Sequence, residues 1–156
     1  NASGINDGAS FTIIASEDAV KNHNLTPLAE VIGIGQGGVD PRVMGLGPTP
    51  AILHALKYAD LCIEDMELVE LNEAFAAQSL GVIHELEEAT GMDRNAFMEK
   101  TNVNGGAIAL GHPVGASGNR ILVSLLHEMQ KRDLKIGLAS LCIGGGQGAA
   151  VIIKRV

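Results

Sequence analysis

Ile136-Gly137-Leu138-Ala139-Ser140-Leu141-Cys142-Ile143-Gly144-Gly145-Gly146-Gln147-Gly148-Ala149-Ala150-Val151-Ile152-Ile153 carries the clearest architectural signal in the chain. Residues 136–141 and 149–153 are apolar runs of strand length, and the link 142–148 between them is rich in glycine. So short a link predicts that the two strands are antiparallel neighbours. Upstream, Ile121, Leu122, Leu125, Leu126 and Met129 recur at helical spacing and predict an amphipathic helix. Val103–Leu110 is apolar and reads as extended, ending in a glycine-rich turn. Residues 87–101 are polar and read as a surface insertion, with Asp93 capping a short helical turn.

Further out, Leu68–Leu71 reads as a strand that feeds a helix through Asn72. Phe75, Ser79, Ile83 and Leu86 mark one face of that helix. Thr49-Pro50 reads as a helix start, with Thr as cap and Pro at the first helical position, and Ile52, Leu53, Leu56 and Ala59 follow at helical spacing. Leu28–Ile34 and Phe11–Ala15 read as strands, and Ser16 caps a helix with acids in its first turn. Alternating strands and helices imply an α/β fold with a mostly parallel sheet covered on both faces. Ligands in such sheets gather beyond the carboxyl ends of the strands. Asn72 and Cys142 are each placed at such an end, and His112 follows an extended segment.

Composition narrows the class. The 156 residues suffice for one well-buried domain. Hydrophobic residues make up 46% and aromatics only 3%, without Trp, so the core must be aliphatic. A net charge of −7, with no long basic stripe, argues against nucleic acid as a partner. Lys131, Arg132 and Lys135 form the densest basic group. Two cysteines make no disulfide framework. No apolar run reaches the roughly 18–20 residues that span a membrane, and no secretory signal leads the chain. A cytoplasmic protein is the expectation. A turn-rich opening on Asn1 rather than Met suggests a piece cut from something larger.

Gly33-x-Gly35-x-x-Gly38 follows a strand and matches the dinucleotide-binding spacing, but it runs into Val39-Asp40-Pro41-Arg42 instead of opening a helix. A loop or bulged strand is the better reading. Gly111-His112-Pro113-Val114-Gly115-Ala116-Ser117-Gly118 would hold an imidazole in place at the start of a helix, whose N-terminus favours the neutral ring. Cys142 is either a small buried residue ending a strand or a thiol at a tight turn, with glycine amides near a developing oxyanion. Asn72 is either a helix N-cap or an amide holding water or a substrate oxygen. His23, His54, His84 and His127 lack metal-ligand spacing and read as surface or packing residues, and Cys62 reads as core.

Taken together, Asn72-Glu73-Ala74-Phe75-Ala76, Asn102-Val103-Asn104-Gly105-Gly106-Ala107-Ile108-Ala109-Leu110-Gly111-His112-Pro113 and Cys142-Ile143-Gly144-Gly145-Gly146-Gln147-Gly148 resemble the thiolase family, in the order and spacing of the second half of its chain. Asn1-Ala2-Ser3-Gly4-Ile5-Asn6-Asp7-Gly8 and Val43-Met44-Gly45-Leu46-Gly47-Pro48 resemble it too. The resemblance implies a thiolase-like α/β fold, with a mixed five-stranded sheet covered by helices. Residues 1–26 would end the first half, and 27–156 would form the C-terminal domain. By the same resemblance His112 activates a nucleophilic cysteine, Cys142 moves the substrate α-proton, and Asn72 holds a water in one oxyanion hole. The Gly144 amide contributes to the other, while Ser3, Met44 and Ala74 line the channel for coenzyme A and its pantetheine arm.

The resemblance further implies acetyl-CoA C-acetyltransferase chemistry, the reversible Claisen condensation of two acetyl-CoA to acetoacetyl-CoA and CoA. The motif detail is closer to the biosynthetic type than to the long-chain degradative type. Coenzyme A is then substrate and product, with no metal or other cofactor. The partners are acyl-CoA thioesters and the missing N-terminal thiolase half, in a homodimer or homotetramer. The family's nucleophile lies in that missing half, and Cys62 stands in the wrong motif to replace it, so the chain alone should be inactive. A Cys/His hydrolase, or a non-catalytic assembly or lipid-binding module, remain the alternatives.

Overall fold

The computed structural model describes all 156 residues. In chain order the elements are α1 (Glu17–Asn22), β1 (Ala29–Gly38), a 3-10 turn (Pro41–Leu46), α2 (Pro48–Ala59), a second 3-10 turn (Ile63–Asp65) and β2 (Leu68–Leu71). There follow α3 (Ala76–Thr90), α4 (Arg94–Glu99), α5 (Ala107–Leu110), α6 (Ser117–Arg132), β3 (Ile136–Ile143) and β4 (Gln147–Arg155). Neighbouring strands run in the order β1-β4-β3-β2. The glycine link does make β3 and β4 an antiparallel hairpin, with Cys142 opposite Gly148. β1 pairs antiparallel with β4, and β2 pairs parallel with β3.

The expected sheet is therefore corrected twice. Only one of the three pairings is parallel, because β1 returns alongside the far strand of the hairpin. The sheet also has four strands, not five. The segment expected to be extended at Val103–Leu110 is a turn followed by the helical turn α5. Asn102 takes a left-handed φ of 49° there, and Gly105 takes 91°, so the backbone cannot stay extended. What remains of a fifth strand is a single parallel bridge between Thr101 and Val69. Phe11–Ala15 forms no strand either, since no other segment lies alongside to accept its backbone hydrogen bonds. Phe11, Ile13 and Ile14 are almost wholly exposed, and the segment is tied instead by Thr12 and Ser10 to Asn119 of α6.

The sheet is covered on both faces, as expected. Side chains alternate across a strand, and the core divides accordingly. Val69, Leu71, Leu138, Ala150 and Ile152 join a sixteen-residue cluster with α2 and α3. Leu68, Ala139 and Ile153 join a six-residue cluster with Ile121, Leu125 and Met129 of α6. The segment 87–101 is not purely a surface insertion. Asp93 caps α4 through the Asn95 and Ala96 amides, and this turns Met92 and Phe97 into the larger cluster. Burying a side chain of that size contributes about 2–3 kcal/mol. Cys62, expected in the core, is exposed and hydrogen-bonded to Asp65. The helix expected to start at Thr49-Pro50 begins at Pro48. No helix is long and apolar enough to cross a membrane.

The glycine spacing that mimics a nucleotide motif has a packing cause. It lies in β1, which carries a bulge between Val31 and Gly33. A Cβ on Gly35 would overlap the Ala51 carbonyl oxygen and lie 2.6 Å from the Ala55 nitrogen. The backbones of α2 and β1 thus touch directly, which only glycine permits. By contrast, a Cβ on Gly38 would meet nothing within 4 Å. Gly35→Ala should lower the free energy of unfolding by roughly 1–3 kcal/mol, while Gly38→Ala should leave it within about 0.5 kcal/mol. Urea denaturation of both variants measures the difference.

Candidate active site

The parallel pairing of β2 with β3 sets Leu71 opposite Ser140, and the Asn72 amide extends it by donating to the Ser140 carbonyl at 2.9 Å. Carried one step on, this register sets Asn72 opposite Leu141, the residue before Cys142, so both Asn72 and Cys142 lie at the carboxyl end of the sheet. Asn72 is not a helix N-cap: α3 starts four residues later, with Phe75 in the cap position. Its side chain is 1% exposed, and neither its Oδ1 nor its Nδ2 has a hydrogen-bond partner in the protein. Leaving a buried amide unpaired costs about 1–3 kcal/mol, so the arrangement fits a group kept ready to bind something.

Cys142 is the last residue but one of β3 and is 9% exposed. It lies inside the strand, not at the turn; the turn proper is Gly144–Gly146, with positive φ at Gly145 and Gly146. Burial holds the thiol above its ordinary value, so it is a neutral thiol near pH 7. Gly144 is exposed. The Val39 amide donates to the Gly146 carbonyl at 2.7 Å, which pins the turn against the chain leaving β1.

His112 reaches the same edge by another route. Its loop leads into α6, where a Cβ on Gly118 would touch the Leu141 side chain at 3.6 Å. Nδ1 of His112 lies 2.6 Å from the Ser117 hydroxyl, which itself donates to the Pro113 carbonyl at 3.1 Å. That hydroxyl has one proton, and the carbonyl can only accept. Ser117 must therefore accept from Nδ1–H, which leaves the Nε2 lone pair free. Ser117 is 0% exposed, so the tautomer is fixed from within the core. The imidazole is held below its ordinary value, first by burial and second by the positive charge of Arg120. Burial and the neighbouring cation thus both favour the neutral ring expected at this position.

The first residues of the chain tie these loops together. The Ser3 amide and hydroxyl both donate to the Ala74 carbonyl at 3.1 Å. Two residues on, Ile5 forms a parallel bridge with His112, whose amide donates to Gly4 at 3.0 Å. Two steps of extended chain, about 7 Å, thus connect the contact with Ala74 to the contact with the His112 loop. Ser3 and Ala74 are thus adjacent to each other and to Asn72. Met44 belongs to the 3-10 turn, which reaches the site from the other side: a Cβ on its neighbour Gly45 would meet Gln78 in the first turn of α3. His23, His54, His84 and His127 are all exposed, as expected of surface residues.

Sequence reasoning missed the residues that support this site. Glu70, one strand position from Leu71, is 2% exposed, and burial pushes its carboxyl up to about 7 against the opposing pull of Arg120. Ser117 and Arg120 lie three residues apart on α6, so they share a face. An isolated Ser and Arg at the head of a helix give no such signal in one sequence.

Comparison with known proteins shows the family of the chain. Residues 25–155 match the family described as Thiolase, C-terminal domain. The chain is 58% identical over 154 residues to the 3-ketoacyl-CoA thiolase, mitochondrial, of Homo sapiens, covering 99% of this chain and 37% of that protein. It is 57% identical over 156 residues to the acetyl-CoA acetyltransferase of Escherichia coli strain K12, covering 100% of this chain and 38% of that protein. The crystal structure of the Bacillus anthracis acetyl-CoA acetyltransferase superposes with a TM-score of 0.87 at 47% identity, over 100% of this chain and 38% of that one. Human mitochondrial 3-ketoacyl-CoA thiolase in complex with CoA superposes with a TM-score of 0.82 at 56% identity, over 91% of this chain and 34% of that one. The chain thus spans little more than a third of the length of the relatives it matches, and it belongs to the thiolase family, matching its C-terminal domain.

Proposed function

We propose that this chain supplies the acid–base and oxyanion-binding half of a thiolase active site, acting on acetyl-CoA and acetoacetyl-CoA once a nucleophilic cysteine is provided by an N-terminal half. The observation that carries the proposal is the buried Ser117 hydroxyl. It holds His112 as a neutral Nδ1–H tautomer at the sheet edge shared with Cys142 and the unpartnered amide of Asn72.

In thiolysis, Nε2 of His112 accepts the proton of the nucleophilic thiol, which attacks the 3-carbonyl of acetoacetyl-CoA. The carbon–carbon bond then breaks, and Cys142 gives its thiol proton to the departing enolate carbon of acetyl-CoA. Free CoA next takes the acetyl group from the enzyme thioester. Run backwards, the Cys142 thiolate removes the α-proton of acetyl-CoA, and the enolate attacks the acetyl-enzyme. A thiol raised by burial suits both directions: it is protonated at neutral pH and strongly basic once ionised. Asn72, through a held water, and the Gly144 amide stabilise the two oxyanions. Ser3, Met44 and Ala74 border the CoA and pantetheine path, and residues 1–26 close the preceding half. The acetoacetyl-CoA assignment rests on the motif detail, since identity to relatives of the two types differs by one point.

CoA-dependent cleavage of acetoacetyl-CoA tests the proposal in this chain joined to an N-terminal thiolase half, in the Cys142→Ser variant, and in this chain alone. The complete protein should turn over, the variant should lose roughly 10²- to 10⁴-fold, and the chain alone should be silent. Turnover by the chain alone would refute the division of labour. A complete protein inactive on acetoacetyl-CoA and on longer 3-ketoacyl-CoAs would refute the function.

The pH dependence has a definite sign. The kcat/KM profile of the complete protein reports groups of the free enzyme. Its acid limb, from His112, should fall below the ordinary imidazole value of 6.5. Its alkaline limb, from Cys142, should lie above the ordinary thiol value of 9.0. Arg120→Gln removes a cation that disfavours imidazolium, so the acid limb should move to higher pH in that variant.

A further inference from the structure

Between the Asn72 turn and the loop that carries His112, one carboxylate is held from both sides. Oε1 of Glu73 accepts from Asn102 Nδ2 at 3.2 Å, and Oε2 accepts from the Ile108 amide at 3.2 Å, in the first turn of α5. Asn102 is itself fixed. Its Oδ1 accepts from the Leu71 amide at 2.9 Å, and its Nδ2 donates to the Leu71 carbonyl at 2.7 Å. The Asn102 side chain thereby pairs with the edge of β2 as another strand's backbone would. It can do so because its own backbone takes the left-handed conformation.

Gly106 completes the arrangement. Its φ of −109° and ψ of −174° suit any residue, so glycine is not needed there for backbone freedom. A Cβ, however, would land on the Glu73 carboxylate. The glycine leaves the space that the carboxylate fills.

We propose that Glu73 is a positioning residue for the reaction: with Asn102 and Gly106 it clamps the Asn72 turn to segment 102–111, fixing the oxyanion-binding amide relative to His112. The clamp runs from the residue that follows one of the two groups to Ile108, four residues before the other. Asn72 precedes Glu73 directly, and His112 follows α5 after Gly111. Turnover asks both groups to act on the same reacting carbonyl and thiol, and misplacement by about 1 Å can cost on the order of 10²-fold. The inference rests on the thiolase reading given above.

Steady-state thiolysis of acetoacetyl-CoA by the complete protein tests it, with Glu73→Gln, Glu73→Ala and Gly106→Ala. Glu73→Ala and Gly106→Ala should each lower kcat roughly 10- to 100-fold, with KM for CoA changed by less than about threefold. Glu73→Gln keeps one acceptor oxygen and should retain intermediate activity. If the glycine serves only to admit the carboxylate, adding Gly106→Ala to Glu73→Ala should cost nothing further. A merely structural residue would not give the kcat-against-KM split, and the non-additivity shows that the two positions act through one contact. Wild-type kcat in the variants, or full additivity, overturns the clamp while leaving the thiolase reading intact. An inactive wild-type protein overturns both. Glu73→Gln keeps the volume of the side chain and decides the matter if the alanine variant does not fold.

Discussion

The parallel pairing of β2 with β3, extended by the Asn72 amide on the Ser140 carbonyl, is the constraint on which the rest of the site depends. It levels the carboxyl ends of two strands separated by the 64 residues from 72 to 135. One strand delivers an amide and the other a thiol to the same edge. Both strands are buried on both faces, between α2 and α3 on one side and α6 on the other. Neither can slip register by one residue without exchanging Leu68 with Val69 or Leu138 with Ala139 across the sheet. Hydrophobic register thus fixes the placement of Asn72 and Cys142 at the end of the sheet.

Elements whose signal is local were legible in the sequence. The β3–β4 hairpin, the amphipathic face of α6, and the Ser16 and Asp93 caps all follow from the residues within one element. Elements defined by a partner were not. Phe11–Ala15 has the composition of a strand and no strand beside it. Val103–Leu110 is as apolar as a strand, but the left-handed backbone at Asn102 and Gly105 turns it away. The fifth strand survives as one bridge at Thr101, and an asparagine side chain completes the edge of β2. An amide standing in for a strand leaves no periodic trace in a sequence.

The candidate site shows the same division. Cys142, His112 and Asn72 could be singled out because glycine, proline and strand ends surround them. The groups that tune them could not. Arg120 acts on two ionisable neighbours at once: it disfavours imidazolium at His112 and favours the carboxylate at Glu70. One guanidinium on α6 therefore keeps a base neutral and offsets part of the burial cost of an acid. Such coupling depends on three elements meeting in space, and single-residue patterns carry no information about it.

The second cysteine shows what this chain does not contribute. Thiolase chemistry as proposed needs a nucleophilic thiol beside the acid–base thiol. Cys62 precedes β2 and so lies toward the amino end of that strand, whereas Asn72 and Cys142 lie at the carboxyl end. Its Sγ donates to Asp65 at 3.0 Å, and that hydrogen bond to a carboxylate holds the thiol above its ordinary value. An acylatable cysteine needs the opposite, a neighbouring cation or base that favours thiolate. Placement and charge both disqualify Cys62, and His112, with Nε2 free, has no second thiol within this chain to activate. In the reaction proposed above, the nucleophile is neither Cys62 nor Cys142.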